Sequence, residues 1–369
     1  MRITFPHMGQ LYIGLKALFN NIGVEPVIPP FTTRRTLSLA TQYSPDGLCI
    51  PYKIILGNMI EGLEKGADTI LTVGGTNTCR MGYYHRVQEQ ILRNIGYKDL
   101  QMFPIGLANN KFGGFMGVLK KCSPSSSWPR IISAFNFAIY KMTVLDDLEI
   151  LANEIRPVEA KIGAVSQVYR AGVSAVDKAS DLGALRKVSR EYKSELKHIV
   201  TLSDRDPLRI LIVGEIYVVL DPFSNLDIEQ ELAKMGVITR RSLYTSRWIK
   251  WSLFLNPLGI DQWGKVHRAA RPYLTRDIGG DGWETVGEKI SGAHHFDGMV
   301  HLSPFTCMPE TMAQNFMLNI KEGLPVLSVS LDEQTSKAGL VTRLEAFVDM
   351  IKRKKLRNLR IAHESISRH

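Results

Sequence analysis

Cysteine is scarce, with four residues in 369 at Cys49, Cys79, Cys122 and Cys307. So few and so scattered, they exclude the disulfide framework of a small secreted scaffold, and no C-x-x-C pair is present. Long apolar runs are missing too: none approaches the roughly 18 to 20 residues that a membrane-spanning helix requires. The opening Met1-Arg2-Ile3-Thr4-Phe5-Pro6 enters a strand-like segment without the charged, apolar and small-residue zones of a secretion signal, so a cytoplasmic address is expected. The phosphate loop G-x-x-x-x-G-K-[ST] and the zinc motif H-E-x-x-H do not occur, and Gly113-Gly114-Phe115-Met116-Gly117 lacks the spacing of G-x-G-x-x-G. The chain is therefore not expected to hydrolyse ATP itself.

What is present suits a soluble globular protein: 44% apolar and 22% charged residues, with length enough for two domains. The net charge of +10 is unevenly placed, because Ile351 to His369 holds seven basic residues against one acid and so carries +6 of it. A tail of this kind is expected to be a solvated extension rather than a nucleic-acid arm, and a nucleic-acid-binding module would rest on this charge alone.

Strand and helix patterns alternate. Arg2 to Phe5 is extended, Leu11 to Asn21 is helical up to Gly23, and Val24 to Ile28 is extended again, giving one β-α-β unit. A helix begins after Pro51, a buried strand covers Thr69 to Val73, and Gly74-Gly75-Thr76-Asn77-Thr78-Cys79 turns into a helix from Arg80 to Ile95. The order recurs after Pro207: a strand at Arg209 to Gly214, a helix at Asp227 to Met235, a strand at Val237 to Thr239 and a helix at Glu284 to Ala293. A strand at Met299 to Leu302, a helix at Pro309 to Glu322 and a strand at Pro325 to Ser330 follow. Asp68 and Asp297 each precede a buried strand, with Cys79 eleven residues after the first and Cys307 ten after the second. The expected fold is α/β: two Rossmann-like parallel-sheet domains related by internal duplication, at 1–145 and 208–350, joined by a helical connector at 146–207 and followed by the tail at 351–369.

In open parallel sheets, ligands sit beyond the carboxyl ends of the strands, where Cys79 and Cys307 fall. Each begins a helix, whose N-terminus favours a thiolate. Cys49 and Cys307 each stand two residues before a proline, Pro51 and Pro309, which the first helical turn tolerates. Three thiolates at such turns favour iron-sulfur or zinc, and the spacing does not choose between them. Cys122 has no counterpart in the second half and reads as a small buried hydrophobe. His294-His295 is a poor zinc pair, since adjacent helical side chains diverge by about 100°.

Asp46-Gly47-Leu48-Cys49-Ile50-Pro51, Gly74 to Cys79, Gly214-Glu215-Ile216-Tyr217 with Leu220-Asp221-Pro222, and Phe305-Thr306-Cys307-Met308-Pro309 together resemble the 2-hydroxyacyl-CoA dehydratase and benzoyl-CoA reductase subunits. Asp332-Glu333-Gln334-Thr335 through Thr342-Arg343-Leu344-Glu345-Ala346-Phe347 resembles the acyl-CoA dehydratase activase-related branch of that family. The resemblance implies two flavodoxin-like domains and a [4Fe-4S] cluster held by Cys49, Cys79 and Cys307. It further implies a separate ATP-hydrolysing iron-sulfur activase that supplies a low-potential electron, and a homologous second subunit or self-dimer. The expected function is a radical dehydratase or reductase subunit acting on an acyl-CoA or similar small molecule, or else an electron-relay or scaffold subunit of such a complex. No membrane and no nucleic acid is expected as partner. Aligning Asp46-Gly47-Leu48-Cys49 with Asp281-Gly282-Trp283-Glu284 assigns Glu284 to the counterpart of Cys49, as a displaceable ligand or proton donor. Glu215 and Tyr217 are placed to reach the same cleft, and Arg343 and Glu345 are candidates for an interdomain ion pair.

Overall fold

Parallel strands need long crossovers and cover on both faces, and both halves of this chain supply them in the same order. The computed structural model describes residues 1–74, 79–106, 111–202, 206–255 and 263–366. The first unit runs β1 (Arg2–Thr4), α1 (Leu11–Asn21), β2 (Glu25–Pro26), α2 (Arg34–Tyr43), α3 (Ile50–Glu64), β3 (Thr69–Gly74), α4 (Met81–Asn94), β4 (Gln101–Gly106) and α5 (Lys111–Cys122). Three longer helices follow, α6 (Trp128–Ile155), α7 (Ala164–Lys178) and α8 (Leu182–Lys197). The second unit begins β5 (Leu208–Gly214), α9 (Ile216–Leu220), α10 (Ile228–Lys234), β6 (Val237–Arg241) and α11 (Thr245–Lys250), with a π-helical turn at Trp251–Leu255. It continues α12 (Gly264–Ala270), α13 (Gly282–Ser291), β7 (Gly298–Pro304), α14 (Met308–Asn319), β8 (Val326–Leu331) and α15 (Lys337–Ile366).

Both sheets are wholly parallel, ordered β2-β1-β3-β4 and β6-β5-β7-β8, so the fold is two flavodoxin-like α/β units of one plan. The repeat extends to single hydrogen bonds. Asp68 accepts from the Arg2 amide (2.9 Å) while its own amide donates to the Arg2 carbonyl, and Asp297 makes the same pair with Arg209 (2.8 Å). Each aspartate thereby ties the end of a crossover to the first strand of its sheet. Among the described residues no helix is long and apolar enough to cross a membrane.

One apolar cluster is continuous between the units, running from Tyr52, Leu56 and Met59 on α3 to Val218 on α9, Leu302 on β7 and Leu344 on α15. The three long helices form their own core through Leu148, Val165, Val176, Leu185 and Leu196, and Ile13 of α1 joins it. Helix α6 runs unbroken through residue 146, and its polar side reaches the second unit. There Arg241 of β6 is buried and pairs with Glu149 of α6 and Glu229 of α10, while Asp146 accepts from the Ser246 amide (2.8 Å).

Several elements have no counterpart in the sequence patterns, α2 and β4 among them. Helix α2 lies between Pro30 and Pro45 and is opened by Thr33, whose amide donates to Thr36 Oγ1 (3.0 Å). Strand β4 contains Pro104 but pairs along its whole length with β3 as an edge strand, where proline is tolerated. At the basic end of the chain α15 continues to Ile366. Arg343 does not join the units, because it donates to the Ser328 carbonyl on β8 of its own sheet (2.5 Å).

Two outcomes follow for stability. Gly214 ends β5 at φ +130, and a Cβ there would meet the Leu302 carbonyl oxygen at 2.0 Å. Gly214→Ala is expected to cost at least about 3 kcal/mol, whereas Gly117→Ala, in open space on α5, should add about 0.5–1 kcal/mol; denaturant midpoints compare them. Burial raises the Asp146 carboxyl to about 6, above its unfolded value, so the native state binds the extra proton and loses stability as pH rises through about 4 to 6. Asp146→Asn should flatten that slope and gain on the order of 2–3 kcal/mol at pH 7 relative to the unsubstituted chain, as read from urea unfolding at pH 4.5 and pH 7.

Candidate functional site

A parallel sheet whose connections leave its first strand in opposite directions opens a crevice at the carboxyl ends of the two central strands. Here these crevices lie beyond β1 and β3 in one unit and beyond β5 and β7 in the other. The segments that leave these strands carry Cys79, Glu215 and Cys307.

Cys49, Cys79 and Cys307 each sit at the mouth of a helix. Cys49 is the N-cap of α3 and Cys307 the N-cap of α14, each with its proline in the first turn, and Cys79 lies two residues before α4. Cys49 and Cys307 are buried and Cys79 is half-buried. Arg80, next to Cys79, ties the three segments together: Nη2 donates to the Thr306 carbonyl (2.6 Å) and Oγ1 (3.2 Å), and Nη1 donates to the Gly47 carbonyl (3.1 Å). Thr306 holds φ +68, a conformation costly for a β-branched residue, immediately before Cys307. Of the Gly74 to Cys79 turn, residues 75–78 lie outside the described residues.

The cleft is poor in positive charge and dense in acids. Burial is the main cause that raises all three thiols, Cys49 to about 11, and Glu215 adds to the rise at each of them. Cys79 in turn acts on both Cys49 and Cys307, which puts it within electrostatic reach of each. Cys49 Sγ lies 2.7 Å from Tyr84 Oη, a contact that opposes part of the rise. Glu215 caps α9 by accepting from the Val218 amide (3.1 Å); its other oxygen is buried without a hydrogen-bond partner, and burial raises the carboxyl to about 7. Glu310 on α14 is fully buried, accepts from His301 Nε2 (2.9 Å) and Thr285 Oγ1 (3.1 Å), and also leaves one oxygen unpartnered.

Asp281 is the acid that the sequence patterns undervalue. It is the N-cap of α13, the place that Cys49 holds on α3, and it accepts from the Ile216 amide (3.0 Å). Its carboxyl is pushed well above the usual range, first by desolvation and then by Glu284, Glu310 and Glu215, and it contributes to raising Cys79. Counting from the helix starts therefore pairs Cys49 with Asp281. Glu284 stands one turn further on, where it accepts from His267 Nε2 (2.9 Å). The repeated Asp-Gly at residues 46 and 281 aligns Asp281 with Asp46 instead, so the correspondence with Cys49 comes from the helix starts and not from the motif. Tyr84 and Arg80 carry no motif, since their roles depend on partners far away in the sequence.

The remaining candidates lie elsewhere. Cys122 is buried among Phe115, Leu119 and Ile131 in the core of the first unit. His294 and His295 are exposed at the turn after α13. Among the described residues, an ion pair between the units is made by Lys53 and Glu333 (2.7 Å), with the lysine side chain only 3% exposed.

Among the described residues no three histidine, cysteine, aspartate or glutamate side chains converge as they would on a single metal ion. Thiolates of a cubane bind different irons and stand apart by the width of the cluster, so this does not decide against one. The donor set suits such a group: three soft ligands from three separate helix mouths, and unpartnered Glu215 and Glu310 oxygens beside them. The chain matches no protein-family model and no curated protein sequence.

Lys53→Met is expected to cost roughly 1–3 kcal/mol, because Glu333 keeps some solvent to rehydrate it. A double-mutant cycle with Glu333→Gln should return a coupling energy of about 1–2 kcal/mol; additive effects would show that the pair does not couple the units.

Proposed function

We propose that this chain is the three-cysteine iron-sulfur subunit of an activase-driven radical dehydratase or reductase, acting on an acyl-CoA or a similar small molecule. The observation that carries this is the meeting of Cys49, Cys79 and Cys307 at one cleft between the units, with Arg80 tying their loops together. In this reading the three thiolates hold a [4Fe-4S] cluster, and Asp281 and Glu215 are the oxygen donors on its remaining side. When bound, the group supplies one-electron transfer to a substrate oxygen.

The chain's own residues set the conditions for it. Burial of the cleft excludes water, and the helix mouths at Cys49 and Cys307 direct backbone amides and the positive end of the helix dipole at the thiolates. Burial raises Glu215 to about 7 and pushes Asp281 well above the usual range, so near neutral pH each can hold a proton and lend it to a site that must accept an electron. The missing nucleotide motif agrees with ATP hydrolysis on another chain.

Anaerobic purification, iron and sulfide analysis and EPR of the dithionite-reduced protein test the proposal. About four irons per chain, lost in Cys49→Ala, Cys79→Ala and Cys307→Ala and kept in Cys122→Ala, is the expected result. A folded protein that stays free of iron after anaerobic reconstitution overturns it.

A further inference from the structure

A buried tyrosine that served only to pack would do better as phenylalanine, because its hydroxyl is costly to take from water unless a partner receives it. Tyr84 on α4 is 5% exposed, and among the described residues its Oη meets one partner, Cys49 Sγ at 2.7 Å. The contact spans two helix mouths, since Cys49 caps α3 and Tyr84 stands five residues after Cys79.

Neighbouring residues hold the ring in place. It packs edge-on against Tyr52 of α3, with ring centroids 4.8 Å apart and planes at 82°. Tyr52 lies one turn beyond Cys49, is buried, and has an Oη without a hydrogen-bond partner. Two adjacent buried phenols thus differ in one respect: the hydroxyl of Tyr84 reaches a sulfur and that of Tyr52 does not.

The three cysteines are unequal in the same way. One backbone amide acts on each sulfur, from Tyr52 at Cys49, Met81 at Cys79 and Glu310 at Cys307. Among the described residues, Cys49 is the one of the three whose sulfur also meets a side-chain hydroxyl. Between a thiol and a phenol either atom can donate, but a thiolate only accepts, so once Cys49 gives up its proton the hydroxyl hydrogen must point at sulfur. Desolvation, and Cys49 itself, keep that hydrogen on the phenol. A hydrogen bond to an ionised acceptor is roughly twice as strong as one between neutral groups, and hydrogen bonds to the sulfurs are among the features that set the potential of an iron-sulfur centre.

We propose that Tyr84 is a positioning residue that raises the reduction potential of the three-cysteine site by donating its hydroxyl hydrogen to Cys49 Sγ. The inference rests on the iron-sulfur reading of the cleft and adds to it the residue that tunes it. An added electron makes the sulfur more negative, so the bond stabilises the reduced state more than the oxidised one. The effect acts through Cys49 and needs no contact between Tyr84 and a substrate.

EPR-monitored redox titration of the anaerobically reconstituted full-length chain, with iron and sulfide analysis of the same samples, tests it. Tyr84→Phe should keep the iron content of the unsubstituted chain and shift the reduction equilibrium about three- to tenfold toward the oxidised form, a fall in midpoint potential of about 28 to 59 mV for one electron. Tyr52→Phe removes the neighbouring hydroxyl and should leave the potential where it was, whereas a ring pair that only packs would leave it unmoved in both variants. If Tyr84→Phe does not fold, Tyr84→Met makes the same comparison. An unchanged potential without the Tyr84 hydroxyl, an equal fall in Tyr52→Phe, or loss of iron on removal of the Tyr84 hydroxyl alone each overturns the proposal. An unsubstituted chain that takes up no iron overturns the reading of the cleft and this inference with it, while an iron-loaded chain whose potential ignores Tyr84 overturns this inference alone.

Discussion

A lysine whose side chain is 3% exposed must have a partner, because an unpaired ammonium away from water costs far more than any contact its methylenes make. Lys53 is such a residue, and its partner, Glu333, belongs to the other half of the chain. Since Lys53 lies one turn beyond Cys49 on α3, pairing with the segment after β8 fixes how the Cys49 helix mouth stands against the second unit. Arg80 makes the complementary tie from the Cys79 side, holding the strained Thr306 and with it Cys307. The cleft exists because these two polar ties and the apolar cluster shared by both units specify one relative placement.

Desolvation gives the cleft its electrostatic character. Three thiols and the carboxyls of Glu215 and Asp281 are all raised, burial being the first cause for each, and the acids reinforce one another. A site of this kind resists negative charge until something thiophilic and positively charged compensates it. In the proposed function, iron is that compensating group.

An apolar cavity of ≈ 160 Å³, lined by Phe5, Val73, Met81, Ala138 and Trp248 among others, adjoins this cleft without sharing its chemistry. One wall belongs to the first sheet and the other comes from residues that follow Glu215 and from α11, so it too depends on both units.

Where structure is dictated by neighbours in sequence, the sequence is legible. The apolar spacing from Leu11 to Asn21 matches α1 residue for residue, and prolines at 51 and 309 mark the first turns of α3 and α14. The duplicated aspartates at 68 and 297 carry the same hydrogen bonds in both sheets. Helix α2 was hidden because its ten residues have few apolar positions to set a period, and β4 because a proline is acceptable only on an edge, a property of the sheet. Composition, periodicity and the repeat thus determined by themselves the two parallel-sheet units and the placing of three cysteines at strand-to-helix or helix-mouth turns. Tertiary structure alone decided that Asp281 holds the place of Cys49, that Lys53 rather than Arg343 bridges the units, and that a cavity opens beside the cleft. Periodicity acts over a few residues, whereas desolvation and long-range pairing depend on which segments the fold brings together.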